Sequence, residues 1–108
     1  MSLTINIIYR GEGDSACEFA REMTESGVVS RIRAEEGNLR YAYYAPLDEP
    51  EALLLIDEWR DQEALDAHHA SPTMQEIAAL RDKYDLSMEV HRYRDAEDAP
   101  QDAQFIRS

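Results

Sequence analysis

The sequence predicts an α+β protein in which helices cover one face of a four-stranded antiparallel sheet. Three observations support this fold class. The chain has 108 residues, which is the length of one domain. Four segments have the β-branched and aromatic composition, or the two-residue alternation, that is typical of strands. The segments between them repeat apolar residues at helical spacing, so helices packed on a single sheet are expected.

The first half of the chain is predicted to contain two strands with helical sequence between them. Residues 3–10 form the first strand, in which Asn6 lies on the opposite face from the leucine and isoleucine positions that flank it. A Gly-Glu-Gly turn ends this strand, and a helix follows. Gly27 weakens the middle of the helical pattern, so we expect a bend or a break there. Residues 39–45 form the second strand.

The second half supplies two more strands and two more helices. Residues 52–60 form a strand that begins with the apolar run ALLLI, which indicates burial on both faces. A short helix follows over residues 62–70, and a Ser-Pro pair starts a further helix that ends near Tyr84. Residues 86–94 alternate apolar and polar side chains and form the last strand.

The predicted order is β-α-β-β-α(α)-β, the split β-α-β arrangement of a ferredoxin-like fold. The second face of the sheet is also apolar, and the simplest cover for it is another copy of the sheet in a two-fold homodimer. We assign residues 1–94 to this domain and residues 95–108 to a polar C-terminal tail. The tail contains the apolar pair Phe105 and Ile106, which we expect to dock on the partner subunit.

Composition excludes several functional classes. The chain carries 23 acidic residues against 11 basic ones, a formal charge of −12, which disfavours nucleic acid and anionic membrane surfaces as partners. No apolar run is long enough to span a bilayer, and the N-terminus lacks the pattern of a signal peptide. Cys17 is the single cysteine, so no internal disulfide is expected. These features predict a reduced, cytoplasmic protein.

Residues 37–74 combine several motifs in a fixed order. A Gly-Asn-Leu-Arg-Tyr turn and strand is followed by an Asp-Glu-Pro loop and by a strand that ends in Glu58-Trp59. A helix with the pattern Glu-Ala-Leu-x-x-His, ending at His68, and the restart Ser71-Pro72 come next. In this combination the segment resembles the core of the antibiotic biosynthesis monooxygenase family of dimeric α+β barrels. The resemblance implies a homodimer whose two sheets form a barrel, with a pocket between the sheet and the helices of each subunit.

The resemblance implies an oxidoreductase, a cofactor-independent monooxygenase acting with O₂ on a small aromatic, quinol or polyketide-like molecule. Some members of the family carry out that reaction. Others degrade haem, isomerise small metabolites or have no established activity. A small-metabolite isomerase, and a non-catalytic ligand-binding or stress-associated dimer, therefore stay as alternatives.

His68 is the leading catalytic candidate. It stands where the family usually has histidine, on a short helix that points toward the sheet. Imidazole accepts protons near neutral pH, so it can deprotonate a phenol or an enol, and the resulting anion can give one electron to O₂. In the isomerase alternative His68 is also the base. The remaining alternative is a structural histidine that hydrogen-bonds to a neighbouring strand.

Trp59 and Asn6 are the other two catalytic candidates, expected to share a pocket with His68. The Trp59 ring is suited to form a wall for a flat aromatic substrate, and its N–H to orient a carbonyl, although a large core residue is the other interpretation. Asn6 matches by position an asparagine that haem-degrading members carry on the first strand. A buried Asn6 needs hydrogen-bond partners, which a substrate can supply. The alternative is that Asn6 caps the strand edge.

Five further residues are predicted to contact substrate. Tyrosine hydroxyls can donate hydrogen bonds to a substrate oxygen, although three tyrosines in one strand also serve simply to pack a sheet. The candidates are Tyr41, Tyr43, Tyr44, Leu55 and Leu65. Haem-degrading members place a histidine on the long helix before the last strand, and Ala78 occupies the equivalent position here. This departure argues against haem, and no cofactor or metal is expected.

Overall fold

The computed structural model describes residues 2–107 and confirms the predicted α+β, ferredoxin-like fold with its four-stranded antiparallel sheet. The strands are β1 (Leu3–Arg10), β2 (Asn38–Tyr44), β3 (Ala52–Trp59) and β4 (Ser87–Arg94), in the order β2-β3-β1-β4. The helices are α1 (Ser15–Glu25), α2 (Val28–Arg33), α3 (Gln62–His69), α4 (Thr73–Lys83) and a final 3₁₀ helix (Pro100–Phe105). Met1 of the predicted domain and Ser108 of the predicted tail lie outside the described residues.

The strand register places one row of side chains across the middle of the sheet. Ile5 on β1 pairs with Asp57 on β3 and with Arg92 on β4, and Asp57 pairs in turn with Tyr41 on β2. Paired residues point to the same face of an antiparallel sheet. This row therefore lies on the face that the helices cover, together with Trp59 two residues further along β3.

The hydrophobic core lies between that face and the helices. Its largest fully buried side chains come from β1, β3 and all of α1–α3: Leu3, Tyr9, Phe19, Met23, Ile32, Leu55, Trp59 and Leu65. Every residue of β4 is exposed, in contrast, because the helices pack over β1–β3 and leave this edge strand uncovered. The uncovered strand gives the helix-side layer an open edge.

Glycine determines two of the chain reversals near the core. Gly27 has φ = +89° and separates α1 from α2, so the predicted break is confirmed. Gly37 has φ = +83°, and a Cβ added there would lie 2.5 Å from the Cβ of Ala64. Only glycine therefore allows the turn before β2 to approach the first turn of α3 this closely. The helix α4 begins one residue later than the Ser-Pro pair predicted, with Pro72 as its N-cap.

The opposite face of the sheet carries no helix among residues 2–107. Asn6 and Ile8 lie on it and are partly exposed, and Tyr44 and Tyr93 are 44% and 51% exposed. The buried Oδ1 of Asn6 accepts no hydrogen bond from the described residues. Covering of this face by a second subunit stays a prediction.

The C-terminal segment contains the 3₁₀ helix Pro100–Phe105, which the sequence did not predict. Phe105 and Ile106 are 82% and 59% exposed. Their docking on a partner subunit stays a prediction, as does the boundary between the domain and the tail. Across residues 2–107, no helix has the length and apolar composition needed to cross a membrane.

Candidate active site

A cavity of about 190 Å³ lies between the sheet and the helices α3 and α4. Its apolar wall is formed by Ile5, Ile7, Leu55, Leu65, Met74 and Ile77. An apolar cavity of roughly 150 Å³ accepts benzene, so this one holds a single aromatic ring. Its polar wall groups include Asp57 and His68, while Arg81 and Arg92 line it on the side of α4 and the exposed strand β4.

The local structure of α3 places His68 in the cavity wall. Asp61 caps this helix through its Oδ1, which accepts a hydrogen bond from the Ala64 N–H at 2.9 Å. Ala64, Leu65 and His68 then form the buried side of the helix, since positions separated by three or four residues share a helical face. His68 is only 3% exposed.

Glu35 holds the His68 ring from outside the cavity. His68 Nδ1 lies 3.0 Å and 3.1 Å from the two carboxylate oxygens of Glu35, in the turn between α2 and β2. With Nδ1–H donating to a carboxylate, the lone pair of the neutral imidazole is on Nε2. Nε2 makes no hydrogen bond with the described residues. This nitrogen is therefore available to accept a proton from a molecule in the cavity.

The Trp59 ring lies beneath His68 and connects it to Asp57. The two rings stack with centroids 4.7 Å apart and planes 28° from parallel. Trp59 Nε1–H donates a 2.6 Å hydrogen bond to Asp57 Oδ1. Asp57 is 5% exposed, and its other oxygen accepts no hydrogen bond from residues 2–107. The cavity thus has two buried side chains that can exchange protons, held by one indole ring.

Burial makes the carboxyl group of Asp57 an unusually weak acid. Removal from water raises the pKa of its carboxyl from the ordinary 3.8 to about 7, the Trp59 hydrogen bond opposes part of this rise, and the charge of Glu35 adds to it. A carboxyl group with this pKa exists in both protonation states near neutral pH. It is therefore suited to give and to take a proton within one reaction.

Two tyrosines in the wall remain un-ionised at neutral pH. Burial raises the pKa of Tyr9 to about 12, and the positive charge of Arg81 opposes part of that rise. Burial also raises the pKa of Tyr41 well above its usual range. Their hydroxyl groups are hydrogen-bond donors and not bases. His69, at the exposed end of α3, has its pKa lowered by partial burial and by the neighbouring His68.

The structure separates residues that the sequence analysis placed together. Asn6 does not share the pocket, because it alternates with Ile5 and Ile7 and points to the opposite face of the sheet. Trp59 is fully buried and lies behind His68, so it is not a wall for a ligand, and its N–H already binds Asp57. Both positions follow from the two-residue periodicity of strands.

Of the five residues predicted to contact substrate, three line the cavity and two do not. Tyr41, Leu55 and Leu65 line the cavity. Tyr43 lies on the same face but packs edge-on against the rings of Phe19 and Tyr41, away from the cavity. Tyr44 lies on the opposite face and is 44% exposed, so it does not reach the cavity.

Asp57 and Glu35 were not predicted as site residues. Asp57 stands in the run Leu53, Leu55, Asp57, Trp59, where every second residue is buried, so the alternation itself could have identified a buried carboxyl group. Glu35 is 33 positions from His68, and no local pattern signals that contact. Across residues 2–107 no group of three or more His, Cys, Asp or Glu side chains is arranged to hold a metal ion.

Comparisons with known proteins identify relatives of this fold. Residues 3–80 match the family model described as antibiotic biosynthesis monooxygenase. No curated protein sequence matches the chain significantly.

Solved structures resemble the whole domain. SnoaB, a cofactor-independent oxygenase from Streptomyces nogalater, superimposes with a TM-score of 0.74 at 16% sequence identity, over 92% of this chain and 97% of its own. A conserved protein from Methanosarcina mazei Go1 has a TM-score of 0.75 at 27% identity, over 89% of this chain and 94% of its own. At such identity the likeness to SnoaB concerns the fold alone.

Proposed function

The chain belongs to the antibiotic biosynthesis monooxygenase family, and on that basis we propose that it is a cofactor-independent monooxygenase of a single-ring phenol or hydroquinone. One observation carries this proposal. Asp57 and His68, each at most 5% exposed, line an apolar cavity large enough for one aromatic ring. A phenol can be deprotonated there away from bulk water.

The proposed reaction converts a phenol and O₂ into a quinone and water. His68 Nε2 takes the phenol proton, the phenolate gives one electron to O₂, and superoxide joins a ring carbon that carries hydrogen. This carbon is para to the phenolate oxygen in a phenol and ortho to it in a hydroquinone. The protonated form of Asp57 gives its proton to the peroxide. The Asp57 carboxylate then removes the proton from the carbon that superoxide joined, and the O–O bond breaks at the same time. The departing hydroxide takes the proton from His68, so both residues return to their starting state.

Glu35 and Trp59 position the two residues that exchange protons. Glu35 fixes the tautomer of His68 and stabilises the imidazolium that forms, as a carboxylate does for an oriented histidine base. Trp59 positions both partners, through its stacking on His68 and its hydrogen bond to Asp57. Neither Glu35 nor Trp59 exchanges protons with the substrate.

The test is oxygen consumption with a panel of phenols, hydroquinones and anthrones. We expect wild-type protein to consume O₂ with single-ring compounds, and His68→Ala and Asp57→Asn each to lower kcat/KM by at least about 100-fold. His91→Ala is the control, because His91 lies on the opposite face, bound to Glu89. Circular dichroism would verify that each variant folds. Equal rates for wild type and both variants would contradict the proposal.

The isomerase alternative uses the same proton acceptor and differs in needing no O₂. Under argon, a non-oxidative enzyme would exchange substrate hydrogen with D₂O through His68 and release an isomer. Exchange with isomer release and without O₂ consumption would replace the monooxygenase assignment. The non-catalytic alternative predicts neither exchange nor consumption.

The proposal includes a homodimer built on the helix-free sheet face. The partly exposed side chains on this face, among them Ile8, Tyr44 and Tyr93, support it. Analytical ultracentrifugation of the full chain tests the dimer directly.

A further inference from the structure

Two arginines line the open side of the cavity. Arg92 lies at the β4 end of the row of side chains that contains Asp57, since both residues pair with Ile5 from opposite sides of β1. Arg81 reaches the same side from α4 and lies against Met88, with its Nη1 3.3 Å from the sulfur. Positive charge at the entrance contrasts with a chain of net charge −12.

These two guanidinium groups differ from three arginines elsewhere on this surface. Arg10, Arg31 and Arg60 form ion pairs with carboxylates at 2.7–3.6 Å. Arg92 instead donates to the neutral amide oxygen of Gln62 at 2.7 Å, and no carboxylate oxygen of residues 2–107 lies within 4.0 Å of it. An arginine has five N–H donors, so most of those on Arg92 have no anionic acceptor.

Arg81 also lacks a strong ion pair among the described residues. Its one carboxylate neighbour is Asp82, at 3.9 Å from Nε, and the Asp82 side chain is 80% exposed. Screening by water makes such a contact weak. The Arg81 side chain is 32% exposed, and its charge acts on Tyr9 inside the cavity. Both arginines can therefore turn donors toward a ligand.

We propose that the cavity binds phenols or hydroquinones that carry a carboxylate, with the ring between the sheet and α4 and the carboxylate held by Arg81 and Arg92. The inference rests on the proposed function for the position of the ring. Neighbouring strands lie roughly 4.8 Å apart, so Asp57 and Arg92 are separated by about 10 Å across β1. A ring with a short carboxylate arm spans that distance.

A matched pair of ligands tests the proposal. Both 2,5-dihydroxyphenylacetate and methylhydroquinone have the same ring, and only the first has a carboxylate. Binding is measured by isothermal titration calorimetry under argon, so that no turnover occurs. Wild-type protein should bind the carboxylate ligand at least about 10-fold more tightly, and 0.5 M NaCl should reduce that preference.

The variants Arg81→Gln and Arg92→Gln identify the groups responsible. Each variant should lower the affinity for the carboxylate ligand by roughly 10-fold and change the affinity for methylhydroquinone by less than about two-fold. Arg21→Gln, an exposed arginine on α1 outside the cavity, is the control and should alter neither. The inference would be overturned if wild type bound the two ligands with equal affinity or bound neither. It would also be overturned if the two arginine variants lost equal affinity for both ligands.

Failure of this inference differs from failure of the proposed function. Selective binding of the carboxylate ligand without later O₂ consumption would contradict the monooxygenase assignment alone. Consumption of O₂ with methylhydroquinone at the same kcat/KM as with the carboxylate compound would contradict the arginine site alone.

Discussion

Replacing Asp57 by asparagine should change how stability depends on pH. In the folded chain the pKa of this buried carboxyl is raised from 3.8 to about 7, mainly by its removal from water. Well below pH 3.8 both the folded and the unfolded state hold the proton, and the site costs nothing. As pH rises toward 7 the unfolded chain loses the proton first, so the folded state becomes progressively less stable.

The magnitude follows from the size of the shift. A difference of about 3 pKa units, at 1.36 kcal/mol per unit, gives about 4 kcal/mol of lost stability above pH 7. About 3 kcal/mol of this falls between pH 4.5 and 8.5. The amide that replaces the carboxyl cannot ionise, while its oxygen can still accept the Trp59 hydrogen bond. The free energy of unfolding of Asp57→Asn, minus that of wild type, should therefore rise by about 3 kcal/mol across this range.

Urea denaturation at fixed protein concentration measures this difference. Trp59 is the one tryptophan in the chain and is fully buried, so its fluorescence reports unfolding, with circular dichroism as a second probe. Asp48→Asn, at an exposed loop position, is the matched control and should show no trend with pH. A difference between Asp57→Asn and wild type that stays constant, or that falls as pH rises, would refute the reasoning.

Three further changes test other parts of the molecule. Glu35→Gln should move the titration midpoint of Asp57, followed by carbon NMR, to lower pH because a charge that raises its pKa is lost; an unmoved midpoint would disagree. Gly37→Ala should cost more than about 1 kcal/mol in urea denaturation, from its positive φ and the contact with Ala64, and an unchanged midpoint would count against this. Phe105→Ser combined with Ile106→Ser should weaken the dimer roughly 100-fold in ultracentrifugation, and equal dissociation constants would rule out docking of the tail.

The fold was predictable because independent local signals agreed. Alternation of apolar and polar residues marked the strands, and Gly or Pro marked the reversals between them, so predicted boundaries differ from the observed ones by about one residue. The 3₁₀ helix Pro100–Phe105 was not predicted, since a six-residue polar segment has no apolar periodicity. It depends on local contacts such as the Ala99 N–H bond to Asp102.

The candidate site was predictable only where one element determines the position of a side chain. The Glu-Ala-Leu-x-x-His pattern of α3 identified His68. Strand alternation sets Leu55 on the cavity face and Asn6 on the opposite face, although Asn6 was predicted to share the pocket with His68. The contact between Glu35 and His68 depends on how a turn packs against a helix 33 positions later, which local sequence does not encode. Strand alternation already places Asp57 on the buried face beside Leu55 and Trp59, whereas the rise in its pKa depends on the depth of burial that the structure shows.

The strand β1 contributes side chains both to the cavity and to the helix-free face of the sheet. On one face its residues Ile5 and Ile7 form the floor of the cavity, while on the other Asn6 and Ile8 lie on the helix-free surface. The helices cover the first face, and the proposed second subunit would cover the other. A shift of β1 by one residue would exchange the two sets of side chains. The same register therefore places apolar floor residues beside Asp57 and presents Asn6 and Ile8 on the helix-free face.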